Sequence, residues 1–345
     1  MDTAPIRPEE RFDEERVAAY LRAHLPEMAG DAPITFAQFP GGKANLTYEA
    51  RVGDAELVLR RPPLGPVAPG SHDMVREHAV LSVLHRAYPK APRAFLLCED
   101  PEVMGAPFFA MERRRGTVVR EAWPDSLPTD DAFRLQVAHN VIDALAELHR
   151  VDYQALGLGG LGRPGGFVAR QVAGWVDRWN RAKHEDLPDM EELGAWFPGA
   201  IPEPQAAVLL HNDFKLDNLI ISDAGEVVAV LDWDMATLGD PLIDLGGVLA
   251  YWAEPDSRYA ALASGGTGLS RVLPASDLIA RYAAGTGFDI KGLAFYRAFG
   301  LYRVAVIAQQ IYIRYRRGQT SDARFAFLGA VVPWLAEDAR RAALG

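Results

Sequence analysis

The chain has one cysteine, Cys98, in 345 residues, and no apolar run approaches the roughly 18 residues a membrane-spanning helix needs. A lone thiol excludes an internal disulfide and a thiolate metal cluster, and it fits a reducing compartment. It closes the apolar run Phe95-Leu96-Leu97 just before Glu99 and Asp100, which reads as buried filler at a strand end. Positive charge is also in short supply. With 36 Lys and Arg against 46 Asp and Glu, the formal charge of −10 argues against general binding to nucleic acid or anionic membrane and leaves at most a local cationic pocket. No internal repeat, low-complexity tract or Walker A loop is evident, since Gly42-Lys43 is followed by Ala44 and lacks the preceding glycine spacing. Residues 1–15 are acidic and unlike a signal peptide, so the expected location is cytoplasmic. What is present, 49% hydrophobic and 24% charged residues, is the composition of a globular protein, and the length allows one large or two ordinary domains.

Apolar periodicity orders the chain. Val17, Tyr20, Leu21 and Leu25 recur near helical spacing and predict a leading helix over 11–25. Short alternating segments then predict strands over 34–36, 47–52 and 56–60, the last two joined as a hairpin through Gly53-Asp54. A helix over 74–84 and strands over 94–98 and 107–111 follow. Beyond them the pattern turns helical: 131–150 with Asp130 as cap, 167–183, 295–316, and a last helix over 322–343 kinked or restarted at Pro333. The natural division is a small mixed N-lobe, 1–111, and a hinge with a large helical C-lobe, 112–345.

Among the helices lies His211-Asn212-Asp213-Phe214-Lys215-Leu216-Asp217-Asn218, with Asp213 and Asn218 five positions apart. That is the spacing of a phosphotransferase catalytic loop, in which a carboxylate orients a hydroxyl and an amide oxygen ligates a metal. Taken alone it reads equally as a polar turn after a strand over 206–210. A second apolar run, 227–231, delivers Asp232 at its end and shifts the balance, because phosphoryl transfer with Mg²⁺ needs a further carboxylate.

HNDFKLDNLI followed by VLDWDMATLGDPLIDLG resembles the aminoglycoside phosphotransferase and choline kinase family, closest to the kinase-like domains associated with acyl-CoA dehydrogenases, over nearly the whole chain. The resemblance implies an α+β, bilobal protein-kinase-like fold with a small antiparallel-sheet N-lobe and a large, mainly helical C-lobe. It makes Asp213 the catalytic residue, Asn218 and Asp232 the Mg²⁺ ligands, and His211 the prop of the loop. Lys215 is directed at the transferred phosphate, or is a solvated loop lysine. Gly41, Gly42 and Asn45 fall where the family places its nucleotide-covering turn; Lys43 either reaches a phosphate or lies on the surface. Arg60 stands where kinases put the Lys that pairs with ATP phosphates and with a helix glutamate, here Glu77. Arg61 competes for that place from the opposite strand face. Glu112, through its carbonyl, and Arg114, through its NH, match the hinge that holds the nucleotide base. Asp240 and Asp244 match acids that brace the site.

Gly157-Leu158-Gly159-Gly160-Leu161-Gly162 satisfies GxGxxG in letter only, because no strand precedes it and no helix opens directly from it; a flexible loop is expected. The function expected is an ATP-dependent O-phosphotransferase acting on a small hydroxylated metabolite, with ATP and Mg²⁺ as cofactors and with neither nucleic acid nor membrane as partner. A hydroxy-acyl or related anionic acceptor is preferred over an aminoglycoside-like one, with the Arg-rich segments 113–115 and 314–317 suited to it. Trp175, Trp179, Trp252, Tyr296 and Arg303 are available for acceptor recognition, although core packing is the stronger reading of each. The alternative is a catalytically silent kinase-like binding module, which the missing strand lysine favours. A protein kinase is disfavoured by the short stretch between Asp232 and Asp240.

Overall fold

A computed structural model describes residues 2–40, 45–53, 55–65, 72–120, 122–254, 257–260, 267–320 and 322–344. The fold is α+β, with a small antiparallel-sheet unit, residues 1–115 and 229–236, and a larger, mainly helical unit, residues 116–228 and 237–345. Among the described residues no helix is long and apolar enough to cross a membrane.

The first unit opens with α1 (Glu14–His24) and α2 (Pro26–Ala29), then β1 (Ile34–Gln38), β2 (Leu46–Val52), β3 (Ala55–Arg61), α3 (Met74–Leu84), β4 (Ala94–Cys98), α4 (Pro101–Met104) and β5 (Phe108–Glu112). The strands form an antiparallel sheet in the order β1-β2-β3-β5-β4. Strand alternation decides what each face holds. Tyr48, Ala50, Leu57 and Leu59 join Val17 and Leu21 of α1 in one core cluster, which also takes Cys98. The helix starts at Glu14 rather than at residue 11 because the Asp13 side chain accepts from Arg16 N at 3.0 Å and caps it. Residues 229–236 return to this unit: Val230 N donates to the Lys90 carbonyl at 2.8 Å, and wholly buried Trp233 meets Tyr88 edge-on with ring centroids 6.1 Å apart.

The second unit contains α5 (Asp131–His149), α6 (Phe167–Ala182), α7 (Pro188–Ala200), β6 (Val208–Leu210), β7 (Leu219–Ile221), β8 (Val227–Val230), β9 (Thr237–Gly239), α8 (Leu242–Tyr251), α9 (Leu269–Val272), α10 (Ala275–Thr286), α11 (Leu293–Arg316) and α12 (Leu328–Leu344). β6 pairs with β9, β7 pairs with β8, and the chain leaves for the first unit within β8. α11 forms the axis, packed by α6, α8 and α12. It crosses α8 with backbone against backbone: a Cβ on Gly246 would lie 2.3 Å from the Tyr296 carbonyl oxygen, and one on Gly300 2.3 Å from that of Gly246.

Two expectations are corrected. The last helical stretch begins as a 3-10 turn, Ala323–Phe327, and α12 runs from Leu328 through Pro333, so the break falls ahead of the proline rather than at it. The glycine-rich segment holds a 3-10 turn, Leu158–Gly160, and Gly162 is pressed so closely against Thr237 that a Cβ there would sit 2.2 Å from the Thr237 hydroxyl oxygen. Packing, not open space, explains that glycine.

Candidate active site

In the first unit, alternation along β3 separates the two arginines. Arg61 shares the core face with Leu57 and Leu59; its guanidinium donates to the carbonyls of Met104 and Glu10 and to the Tyr48 hydroxyl, and it packs on the Phe12 and Tyr48 rings. Those contacts are structural. Arg60 turns the other way and meets Glu77 of α3, Nε to Oε2 at 2.9 Å, and its Nη2 pairs with Asp232. Glu77 also accepts from Trp233 N at 3.2 Å. Burial pushes the Glu77 carboxyl up to about 7 against the pull of Arg60. Burial works against the Arg60 charge too, but Glu77 and Asp232 outweigh it and leave its pKa raised. Asp232 has φ +69°, an uncommon conformation for a non-glycine residue and one found preferentially at functional sites.

Asn45 is buried, its Oδ1 bonded to His72 Nδ1 at 2.8 Å, while its Nδ2 has no partner among the described residues. Gly41, Gly42 and Lys43 lie outside the described residues. Glu112 donates its N–H to the Arg93 carbonyl, and its carboxylate takes Arg93 N at 3.2 Å and Arg114 at 3.0 Å. The neighbouring arginines have acidic partners, Arg113 in Glu49 and Asp2 and Arg115 in Glu56.

In the second unit the loop after β6 closes on itself. Asn218 Nδ2 donates to Asp213 twice, at 2.9 Å to the carbonyl and 2.8 Å to Oδ2, and Lys215 Nζ reaches Asp213 Oδ1 at 2.9 Å. The Asn218 amide therefore spends its donors on Asp213, which leaves its oxygen as the atom suited to a cation. Lys215 also sits 5.6 Å from the Tyr251 ring centroid; burial opposes its charge, yet Asp213 holds its pKa above the usual lysine value. Asp217 is exposed.

The loop is fixed from beneath by Asp244, which accepts from His211 N and Asn212 N at 2.7 Å each. Asn212, at φ +66°, is thus held in a second uncommon conformation. His211 is fully buried, and its Nδ1 accepts from Asp213 N at 3.2 Å. Burial raises the Asp244 pKa, but the His149 hydrogen bond and the His149 and His211 rings more than reverse it, and the carboxyl ends below its ordinary value. His149 Nε2 lies 3.2 Å from Asp244 and its Nδ1 2.6 Å from the Tyr282 hydroxyl. With a carboxylate at Nε2, the consistent tautomer carries its proton there and accepts from Tyr282. Asp240, one residue before the Pro241 N-cap of α8, accepts from Leu242 N at 2.9 Å and satisfies one N–H of the helix's first turn.

His149, Tyr282 and Tyr251 were not anticipated, and nothing in their local sequence marks them. Trp179 and Trp252 spend their indole N–H groups on Glu191 and on the Leu273 carbonyl, and Tyr296 is buried, so core packing accounts for them. Arg303 differs: its Nη2 donates to the Asn212 carbonyl at 3.0 Å, which places it against the catalytic-type loop.

Residues 35–296 match the phosphotransferase enzyme family. The chain belongs to this family. Acyl-CoA dehydrogenase family member 10 of Mus musculus is 33% identical over 342 residues, 97% of this chain and 32% of its own length. Family member 11 of Homo sapiens is 32% identical over 339 residues, 96% of this chain and 43% of its own length. The phosphotransferase chain therefore spans less than half the length of either relative. A provisionally assigned aminoglycoside phosphotransferase of Ralstonia eutropha JMP134 superposes with a TM-score of 0.78 at 31% identity, covering 96% of this chain and 98% of that one. Choline kinase of Cryptosporidium parvum Iowa II, at 12% identity and a TM-score of 0.62 over 95% and 96% of the two chains, shares the fold.

Proposed function

We propose that this phosphotransferase moves a phosphoryl group from ATP to the hydroxyl of a small metabolite, with a hydroxy-acyl or related anionic acceptor preferred over an aminoglycoside-like one. The observation that carries the reading is the Asp213 loop, in which Asn218 and Lys215 hold the carboxylate and Asp244 pins the preceding backbone. Asp213 accepts the acceptor's hydroxyl proton as the new O–P bond forms and the bond from phosphorus to the departing diphosphate breaks. Lys215 offsets charge beside it. Asn218 and Asp232 are the candidate ligands for Mg²⁺, and one amide oxygen and one carboxylate suit a hard cation that completes its shell with phosphate and water. When bound, the metal neutralises charge on the phosphates. Arg60 and Asn45, with Gly41 and Gly42, are the candidate nucleotide contacts, and Glu112 and Arg114 would meet the base through their backbone.

A thermal-shift panel with ATP, GTP and Mg²⁺ tests this reading. Stabilisation by nucleotide is expected, together with slow nucleotide turnover that Asp213→Ala abolishes and Asp217→Ala leaves in place. No stabilisation by any nucleotide would overturn it. Arg60 at the usual lysine position, held by both Glu77 and Asp232, favours a second reading, a silent binding module. Nucleotide binding without turnover, whatever hydroxyl compounds are added, is the result that selects it.

A further inference from the structure

Arg303 carries a charge that its surroundings do not neutralise. Among the described residues no carboxylate pairs with it, and its one hydrogen bond is to the neutral Asn212 carbonyl. Its guanidinium lies 5.2 Å from the Trp175 ring centroid, and a second cation, Arg178, lies 4.5 Å from the same ring. Burial pulls the Arg303 pKa below its ordinary value despite the attraction of Asp244, Tyr251 and Asp213. The acids nearby are committed elsewhere: Asp244 to the loop N–H groups and His149, and Asp213 to Asn218 and Lys215. A guanidinium offers five donors, and here only one is accounted for.

The remaining donors have somewhere to act. A cavity of about 30 Å³ is lined by Asp213, Asp244, Tyr251, Arg303, Val304 and Ile307. One water needs about 10–15 Å³ on this measure, so the space takes a group of two or three heavy atoms, such as a carboxylate, with the rest of an acceptor outside it. Its polar end holds both the candidate base and the under-used arginine, and Val304 and Ile307 give it an apolar wall. An amino sugar would bring positive charge to a region that already holds Arg303, Arg178 and Lys215. A carboxylate would supply the planar pair of acceptors that a guanidinium binds best.

We propose that the acceptor is a hydroxy carboxylate, received at its carboxylate by Arg303 while its hydroxyl is presented to Asp213. This rests on the assignment of Asp213 as the base and adds the residue that selects the substrate.

The experiment uses the full chain with MgATP, with nucleotide stabilisation measured alongside acceptor-dependent ADP release. The acceptors are short hydroxy acids of increasing chain length, each paired with its methyl ester, together with amino alcohols and an aminoglycoside. The expected result is phosphorylation of at least one free acid, with kcat/KM about 100-fold above that of its ester. Arg303→Met should raise KM for the acid far more than it lowers kcat and should bring the acid-to-ester ratio close to one. Arg303→Lys should restore part of that ratio. If Arg303 only supports the loop through Asn212, the variants will depress acid and ester equally, and the proposal is overturned. Esters or amines used as well as acids by the wild type overturn it too. Nucleotide stabilisation without acid preference removes this inference alone, whereas no stabilisation removes the phosphotransferase reading with it.

Discussion

The two arginines of β3 show how much a single position decides. Arg61 is fastened inside the sheet unit by carbonyls and rings, whereas Arg60 is fastened by charge to Glu77 and Asp232. Removing one member of a buried ion pair leaves the other uncompensated, so Arg60→Met should cost about 3 kcal/mol by urea unfolding, with Arg60→Lys costing less. Asp244 carries a pH prediction. Its carboxyl titrates below its ordinary value in the folded chain, so it binds fewer protons there than in the unfolded chain. Its stabilisation is complete above about pH 4, the unfolded value, and is lost as the pH falls through the lower folded value. Urea midpoints between pH 6 and pH 3 should therefore fall more steeply for the wild type than for Asp244→Asn. Equal slopes would show that the carboxylate is not the group being titrated.

At the scale of elements, Gly246 and Gly300 let α8 and α11 touch, and that contact brings Asp244 and Arg303 to the same loop. Gly246→Ala should cost about 3 kcal/mol and lower the calorimetric midpoint, because backbone rather than a flexible side chain stands in the way. Gly247→Ala, with open space around it, should keep the midpoint or raise it slightly, since alanine favours helix.

Local signals decided which elements were legible. α3 and β4 appear over the residues read from sequence because Asp73 caps the one and a short continuous apolar run, Ala94 to Cys98, marks the other. α8 was not picked out: nearly every residue along it is buried, so it has no polar face to reveal a helical period. The Asp213 loop was legible because its chemistry is compressed into eight residues. Of its supports, Asp244 and His211 were legible through the family resemblance, whereas His149 and the Arg303 contact were not, since His149 meets Asp244 across 95 positions and Arg303 meets Asn212 across 91. Spacing in sequence carries no trace of such contacts.

For the whole molecule, the division of the chain is not a division of the sequence into consecutive blocks. Residues 229–236 belong with 1–115 and supply buried Trp233, whose N–H meets Glu77, and Asp232, which meets Arg60. A fragment ending at residue 115 should therefore lack a cooperative thermal transition by circular dichroism. Its Glu77 would lose the Trp233 N–H, its Arg60 would lose the Asp232 carboxylate, and the Tyr88 ring would have nothing in the place of Trp233.

The contact between α8 and α11 also acts as a fixed ruler. Because two glycines set it, the offset between the brace at Asp244 and the side chains at 303, 304 and 307 is indifferent to what those side chains are. On the proposed function, replacing Val304 or Ile307 should alter which acceptor is admitted while Asp244 keeps its hold on the Asp213 loop. If the proposed acceptor site holds, a scaffold of that kind would be re-tuned to new acceptors by single substitutions on one helix, without re-engineering the chemistry beside it.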